Sequence, residues 1–95
     1  MKIEVKQAAL EWLMRDWGFK SGDFVRIFVR YGGSSTVQDS FSLGIAKDEP
    51  NSPAYTTTIE GITFYMEQDD SWYVDGKDLT IDYDAPKEEV VFLFS

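Results

Sequence analysis

The chain has 95 residues, seventeen of them acidic and nine basic, for a net charge of −8, and it contains no cysteine and no histidine. That composition removes thiolate nucleophiles, imidazole bases and the two commonest soft and borderline metal ligands. The negative field also makes nucleic acid and anionic membrane poor partners.

The length fits one domain, residues 1–95. Its mass implies about 5,600 Å² of folded surface against about 16,000 Å² unfolded, enough burial for a core without disulfides. Three Trp, five Tyr and seven Phe supply that core. No apolar run nears the ~18 residues of a membrane span. Met1-Lys2-Ile3-Glu4-Val5 lacks the apolar stretch of a secretory signal. A cytoplasmic setting is the expectation.

From Val5 to Trp17 the spacing predicts one helix, with Val5, Ala8, Ala9, Trp12, Leu13 and Trp17 on one face. Glu11 and Arg15 stand four apart in the favourable order, and Gly18 sits where a left-handed cap belongs. Beyond Ser21-Gly22-Asp23 the period becomes two. Val25, Ile27 and Val29 give the first long strand a wholly apolar face. A second strand is predicted near Ser40 to Ala46, then a loop over Asp48 to Pro53. Two further runs, Tyr55 to Ile59 and Ile62 to Met66, flank a tight Glu60-Gly61 turn. Gln68 to Gly76 reads as a single helical turn. Strands over Leu79 to Tyr83 and Val90 to Phe94 complete the set. The reading is an α+β domain, predominantly antiparallel β, with one amino-terminal helix and a short helical turn near 68–76.

Three features could carry chemistry. Gly32-Gly33-Ser34-Ser35 permits close backbone approach and an anion nest, but it has no phosphate-loop lysine and reads as readily as a plain connection. Ser34 has no histidine to activate it, so an enzyme is not expected. The carboxylates Asp69, Asp70, Asp75, Asp78, Asp82, Asp84, Glu88 and Glu89 are hard-cation donors, yet their spacing fails the calcium-loop pattern; a solvated acidic surface is the simpler account. Arg26 and Arg30 share a strand face, where they either pair with carboxylates or project toward a partner.

The order of these motifs resembles the HesB-like, A-type iron–sulfur carrier family over nearly the whole chain. The residues concerned are Ala8 to Leu13, Val29-Arg30-Tyr31-Gly32-Gly33-Ser34-Ser35, Phe41 to Gly44, Gly61 to Met66 and Asp75 to Tyr83. The resemblance implies a compact β-rich sheet or sandwich fold and a small cytoplasmic protein, often a homo-oligomer. Such proteins pass iron or an iron–sulfur cluster from an assembly protein to a client. It also implies three cysteine ligands, one in the glycine–serine loop and two in a Cys-Gly-Cys motif. Here Ser34 matches the loop cysteine, and the second motif has no counterpart. Ligation by thiolate is therefore lost; the chain resembles a shortened, cysteine-free branch of the family, with no metal ligand assigned and with iron or an iron–sulfur cluster implied by the resemblance alone.

Two functional expectations follow. One is an accessory role in iron–sulfur cluster biogenesis, with assembly or client proteins as partners and the loop 32–35 as the inherited surface. The other is a protein-binding module on the same scaffold, with Arg30, Tyr31, Trp72 and Tyr73 as contacts.

Overall fold

The computed structural model describes residues 2–31 and 41–95. In chain order its elements are β1 (Ile3–Val5), α1 (Gln7–Asp16), β2 (Phe24–Tyr31), β3 (Phe41–Lys47), β4 (Pro53–Ile59), β5 (Ile62–Glu67), a 3₁₀ turn (Gln68–Tyr73), β6 (Leu79–Asp84) and β7 (Glu89–Phe94). Two sheets result, ordered β1-β6-β7 and β3-β2-β5-β4. Each is mixed: β1 runs parallel to β6 and β2 parallel to β5, while the other three pairs are antiparallel. The α+β reading therefore holds, mostly antiparallel, with one helix and a 3₁₀ turn. No helix of the described residues is long and apolar enough to cross a membrane.

The core lies between the sheets. Val25 and Ile27 of β2, Ile62, Phe64 and Met66 of β5, and Leu79 and Ile81 of β6 are all buried. The accessible surface of 5574 Å² agrees with the mass-based expectation of about 5,600 Å². α1 closes the core against β6 through Ala9, Leu10 and Leu13. That stripe is rotated from the predicted face, since Ala8 is exposed and Leu10 is buried. Arg15 meets its neighbour Asp16 at 3.2 Å, and Glu11 instead accepts from Gln7.

The helix does not begin at Val5. Residues 3–5 form β1, laid along β6 by the Leu79 amide donating to the Lys2 carbonyl (2.8 Å) and the Lys6 amide donating to the Ile81 carbonyl (2.9 Å). Lys6 is the extended N-cap that separates the two elements. At the other end Gly18 is left-handed (φ 76°), and both the Trp17 and Phe19 amides reach the Leu13 carbonyl at 3.2 Å.

Between β4 and β5, Glu60 (φ 51°) and Gly61 (φ 78°) are both left-handed. Together they close Ile59 onto Ile62 as a two-residue type I′ hairpin. β1 lies beside β4, so the sandwich is closed on that flank. On the opposite flank β3 and β7 are both edge strands.

Candidate interaction site

The open flank is a groove of about 820 Å³. Leu43 and Ile45 of β3 form one wall, and Val90, Phe92 and Phe94 of β7 form the other. Trp12 and Trp17 close its helix end. These rings belong to an aromatic ladder: Trp12 lies 5.5 Å from Tyr83 and 6.3 Å from Trp17, which stacks on Phe19 at 5.8 Å. Trp17 is 45% exposed although Phe19 beneath it is buried. The polar rim is Arg30, Lys87 and Glu89, with Ser42. In a chain of net charge −8, this is a locally cationic margin around an apolar floor.

β2 shows why its two arginines differ. Both lie on the face turned away from the core. Arg26 is held there by Asp70 (3.4 Å) and Asp48 (3.8 Å) and sits 5.9 Å from the Phe28 ring centre. Its Nε is buried without a hydrogen-bond partner among the described residues. The loop after β3 folds over this same face. Tyr65 points outward from β5 yet is fully buried, its hydroxyl donating to the Asp48 carbonyl (2.8 Å) and its ring edge-on to Phe24. Burial raises the Tyr65 pKa above the usual phenol value. Glu67 anchors the loop by accepting from the Asn51 and Ser52 amides. Arg30, four residues on from Arg26, is exposed and forms no ion pair among the described residues.

The acidic segment resolves into local structural duties. Asp70 pairs with Arg26, Asp78 accepts the Lys2 amide and Asp82 accepts the Tyr83 amide. Among the described residues no three acidic side chains gather as a metal site. Of the predicted contacts, Trp72 is half-exposed while Tyr73 is buried, its ring 5.9 Å from Phe94. Tyr31 ends β2 opposite Phe41, and its side chain lies outside the described residues, as do Gly32, Gly33, Ser34 and Ser35. The groove itself was not anticipated. Its signal was the uninterrupted apolar run 90–94 on a strand that has one neighbour among the described residues.

A family model described as "Iron-sulphur cluster biosynthesis" matches residues 1–95. The chain belongs to this family. Its fold matches that of the solved structure of IscA with the [2Fe-2S] cluster, with a TM-score of 0.61, 19% identity and coverage of 98% of this chain and 80% of that one. At that identity the likeness concerns fold alone. Among family relatives, a pyruvate dehydrogenase inhibitor of Bacillus subtilis (strain 168) is 46% identical over 92 residues, spanning 97% of each chain. Uncharacterized proteins of Staphylococcus saprophyticus and Staphylococcus epidermidis are 28% and 23% identical over 95 residues.

An iron–sulfur cluster does not fit this member's donors. Clusters are held by cysteine thiolates, with histidine as the known substitute, and the chain has neither residue. A serine hydroxyl is a poor cluster ligand beside a cysteine thiolate.

Proposed function

We propose that this family member is a protein-binding regulator that inhibits pyruvate dehydrogenase. The observation that carries the reading is the 46% identity, over 97% of both chains, with a protein named as an inhibitor of that enzyme. Loss of every thiolate and imidazole supports it: a scaffold with no cluster ligands keeps a surface for contact with proteins. It acts without catalysis of its own, as one domain in the cytoplasm. Arg30 and Trp72 are proposed contacts, together with the inherited segment Gly32, Gly33, Ser34 and Ser35.

The test is titration of the purified chain into pyruvate dehydrogenase, following pyruvate-dependent NADH formation, with size-exclusion chromatography of the mixture. Saturable inhibition and co-elution are expected. Full activity in a large excess of the chain, with no co-elution, would overturn the reading.

The family match over residues 1–95 favours a second reading, an accessory role beside cluster-assembly or client proteins. Anaerobic reconstitution with ferrous iron and sulfide separates carriage from contact. A colourless, metal-free protein after desalting is expected. Stoichiometric iron with charge-transfer absorbance would restore the carrier role through donors of another kind.

A further inference from the structure

Edge strands of soluble proteins are normally guarded by charge, proline, bulges or brevity, because their unpaired amides and carbonyls template further pairing. β7 carries none of these guards along Val90-Val91-Phe92-Leu93-Phe94. All five residues are apolar, none is buried, and Leu93 is half-exposed.

The hydrogen-bond phase shows which groups are free. Asp78 and Ser95 exchange both backbone bonds (2.9 and 3.0 Å), so they form a hydrogen-bonded pair. Such pairs alternate along an antiparallel ladder. With the observed register, Leu93 pairs this way with Thr80 and Val91 with Asp82. The N–H and C=O groups of Val90, Phe92 and Phe94 therefore point away from β6, toward the open flank. The parallel side of β6 agrees, since Leu79 and Ile81 turn their backbones to β1.

Val90, Phe92 and Phe94 also place their side chains in the groove. Backbone donors, backbone acceptors and an apolar wall thus converge on one line about five residues long. Its margin carries Arg30 and Lys87 against Glu89. A second copy, itself at −8, is repelled over most of its surface, whereas a short segment can lay a few acidic residues on Arg30 and Lys87 without bringing up a whole acidic surface.

We propose that β7 is a docking edge that receives an extended segment of the inhibited enzyme, apolar at alternate positions and acidic between them, as an added strand. This rests on the inhibitor reading and names its surface. Main-chain bonds to Val90, Phe92 and Phe94 give affinity, and the groove selects the inward side chains. Arg30 and Lys87 select against basic segments and speed encounter. β3 is the less suitable edge, because it ends in the charged Lys47 and has a glycine, Gly44, at its centre.

Residue-resolved amide exchange of the chain, free and bound to pyruvate dehydrogenase, reads the added strand directly. The Val90 and Phe92 amides are expected to exchange quickly in the free protein and at least tenfold more slowly in the complex. Val91 and Leu93, already bonded to β6, change little. Leu93→Glu, which sets an acid beside the acidic positions of the added strand, and the pair Arg30→Glu with Lys87→Glu each weaken binding at least tenfold while the circular dichroism stays native. Lys6→Glu, outside the groove, binds as the parent does.

Inhibition by the parent chain without protection at Val90 and Phe92, with the variants binding normally, overturns the docking edge and leaves the inhibitor reading standing. Protection at Leu43 and Ile45 instead overturns the choice of strand. Protection in the free protein, with a sedimenting dimer that Leu93→Glu dissociates, makes the occupant a second copy and overturns the proposal. A parent chain that neither binds nor inhibits removes both readings.

Discussion

Replacing Gly61 by alanine tests how the β4–β5 hairpin is fixed to the rest of the domain. Gly61 is left-handed at φ 78°, a conformation that costs an L-residue about 1–2 kcal/mol. A Cβ there would also lie 2.8 Å from Ser21 Cβ and 3.2 Å from Ser21 Cα. The second of these atoms is backbone, so no rotamer change relieves it, and overpacking of this kind adds about 1–3 kcal/mol. The same contact brings the Gly22 amide onto the Gly61 carbonyl at 2.9 Å, so a shift also strains the turn that leads into β2. Gly61→Ala should therefore cost about 2–5 kcal/mol, from a total on the order of 5–14 kcal/mol for a chain of this length. At about 4–8 °C per kcal/mol, the melting point falls by at least about 8 °C. Urea unfolding followed by tryptophan fluorescence measures it, with Ser21→Gly as the second arm of a double-mutant cycle. In the Ser21→Gly background the cost of Gly61→Ala should shrink to the conformational part and the remaining contact with the residue 21 Cα. An equal cost in both backgrounds would refute the contact with Ser21, and a loss below about 1 kcal/mol would refute the conformational argument as well.

Trp72→Ala should cost about 1–2 kcal/mol, since the half-exposed ring still lies edge-on to Tyr73 at 5.8 Å. Tyr73→Ala, with the ring buried against Phe94, should cost about 3–5 kcal/mol; comparable losses for the two would mean that Trp72 belongs to the core. Asp23 is held below the ordinary carboxylate range, first by the Lys20 amide and then by Lys47 at 3.4 Å. Its folded pKa is depressed, so its stabilisation is complete above the unfolded value and disappears as pH falls through the folded one. Asp23→Asn should therefore lower the urea midpoint at pH 7, with the gap to the parent closing in acid. A gap that stayed constant down to pH 2 would assign the effect to packing and not to the charge.

Local chemistry made most of the architecture legible. Alternation at Val25, Ile27 and Val29 announced β2 because one face meets the core and the other meets a polar loop. Gly61 announced the hairpin because glycine accepts the left-handed conformation that a two-residue turn demands, while Glu60 takes up the other one against its own preference. β1 was not legible. Three residues contain no measurable period, and what makes them a strand is β6, far along the chain. The helix face was misjudged because Trp12 spans enough surface to look inward while remaining half-buried against Tyr83. At the site, Arg26 and Arg30 looked equivalent by spacing. Only the arrival of Asp48 and Asp70 distinguishes them, the first from the loop after β3 and the second from the 3₁₀ turn. The groove escaped for a related reason: strand content is local, whereas being an edge is a property of the whole sheet order.

The pairing of β1 with β6 has a kinetic consequence. Lys2 and Asp78, which meet at the head of this ladder, are 76 positions apart. Closing so long a loop costs about 4 kcal/mol beyond a constant, against three residue pairs of parallel strand. Those pairs cannot initiate folding. β6 must first be held by its hairpin with β7, whose ends are close in sequence, and by the helix that it supports. The amino-terminal strand is then the final piece to seat, and it is the first to release when the domain opens. A chain made from its amino terminus carries β1 unpaired through most of its synthesis, until residues near Ile81 have emerged.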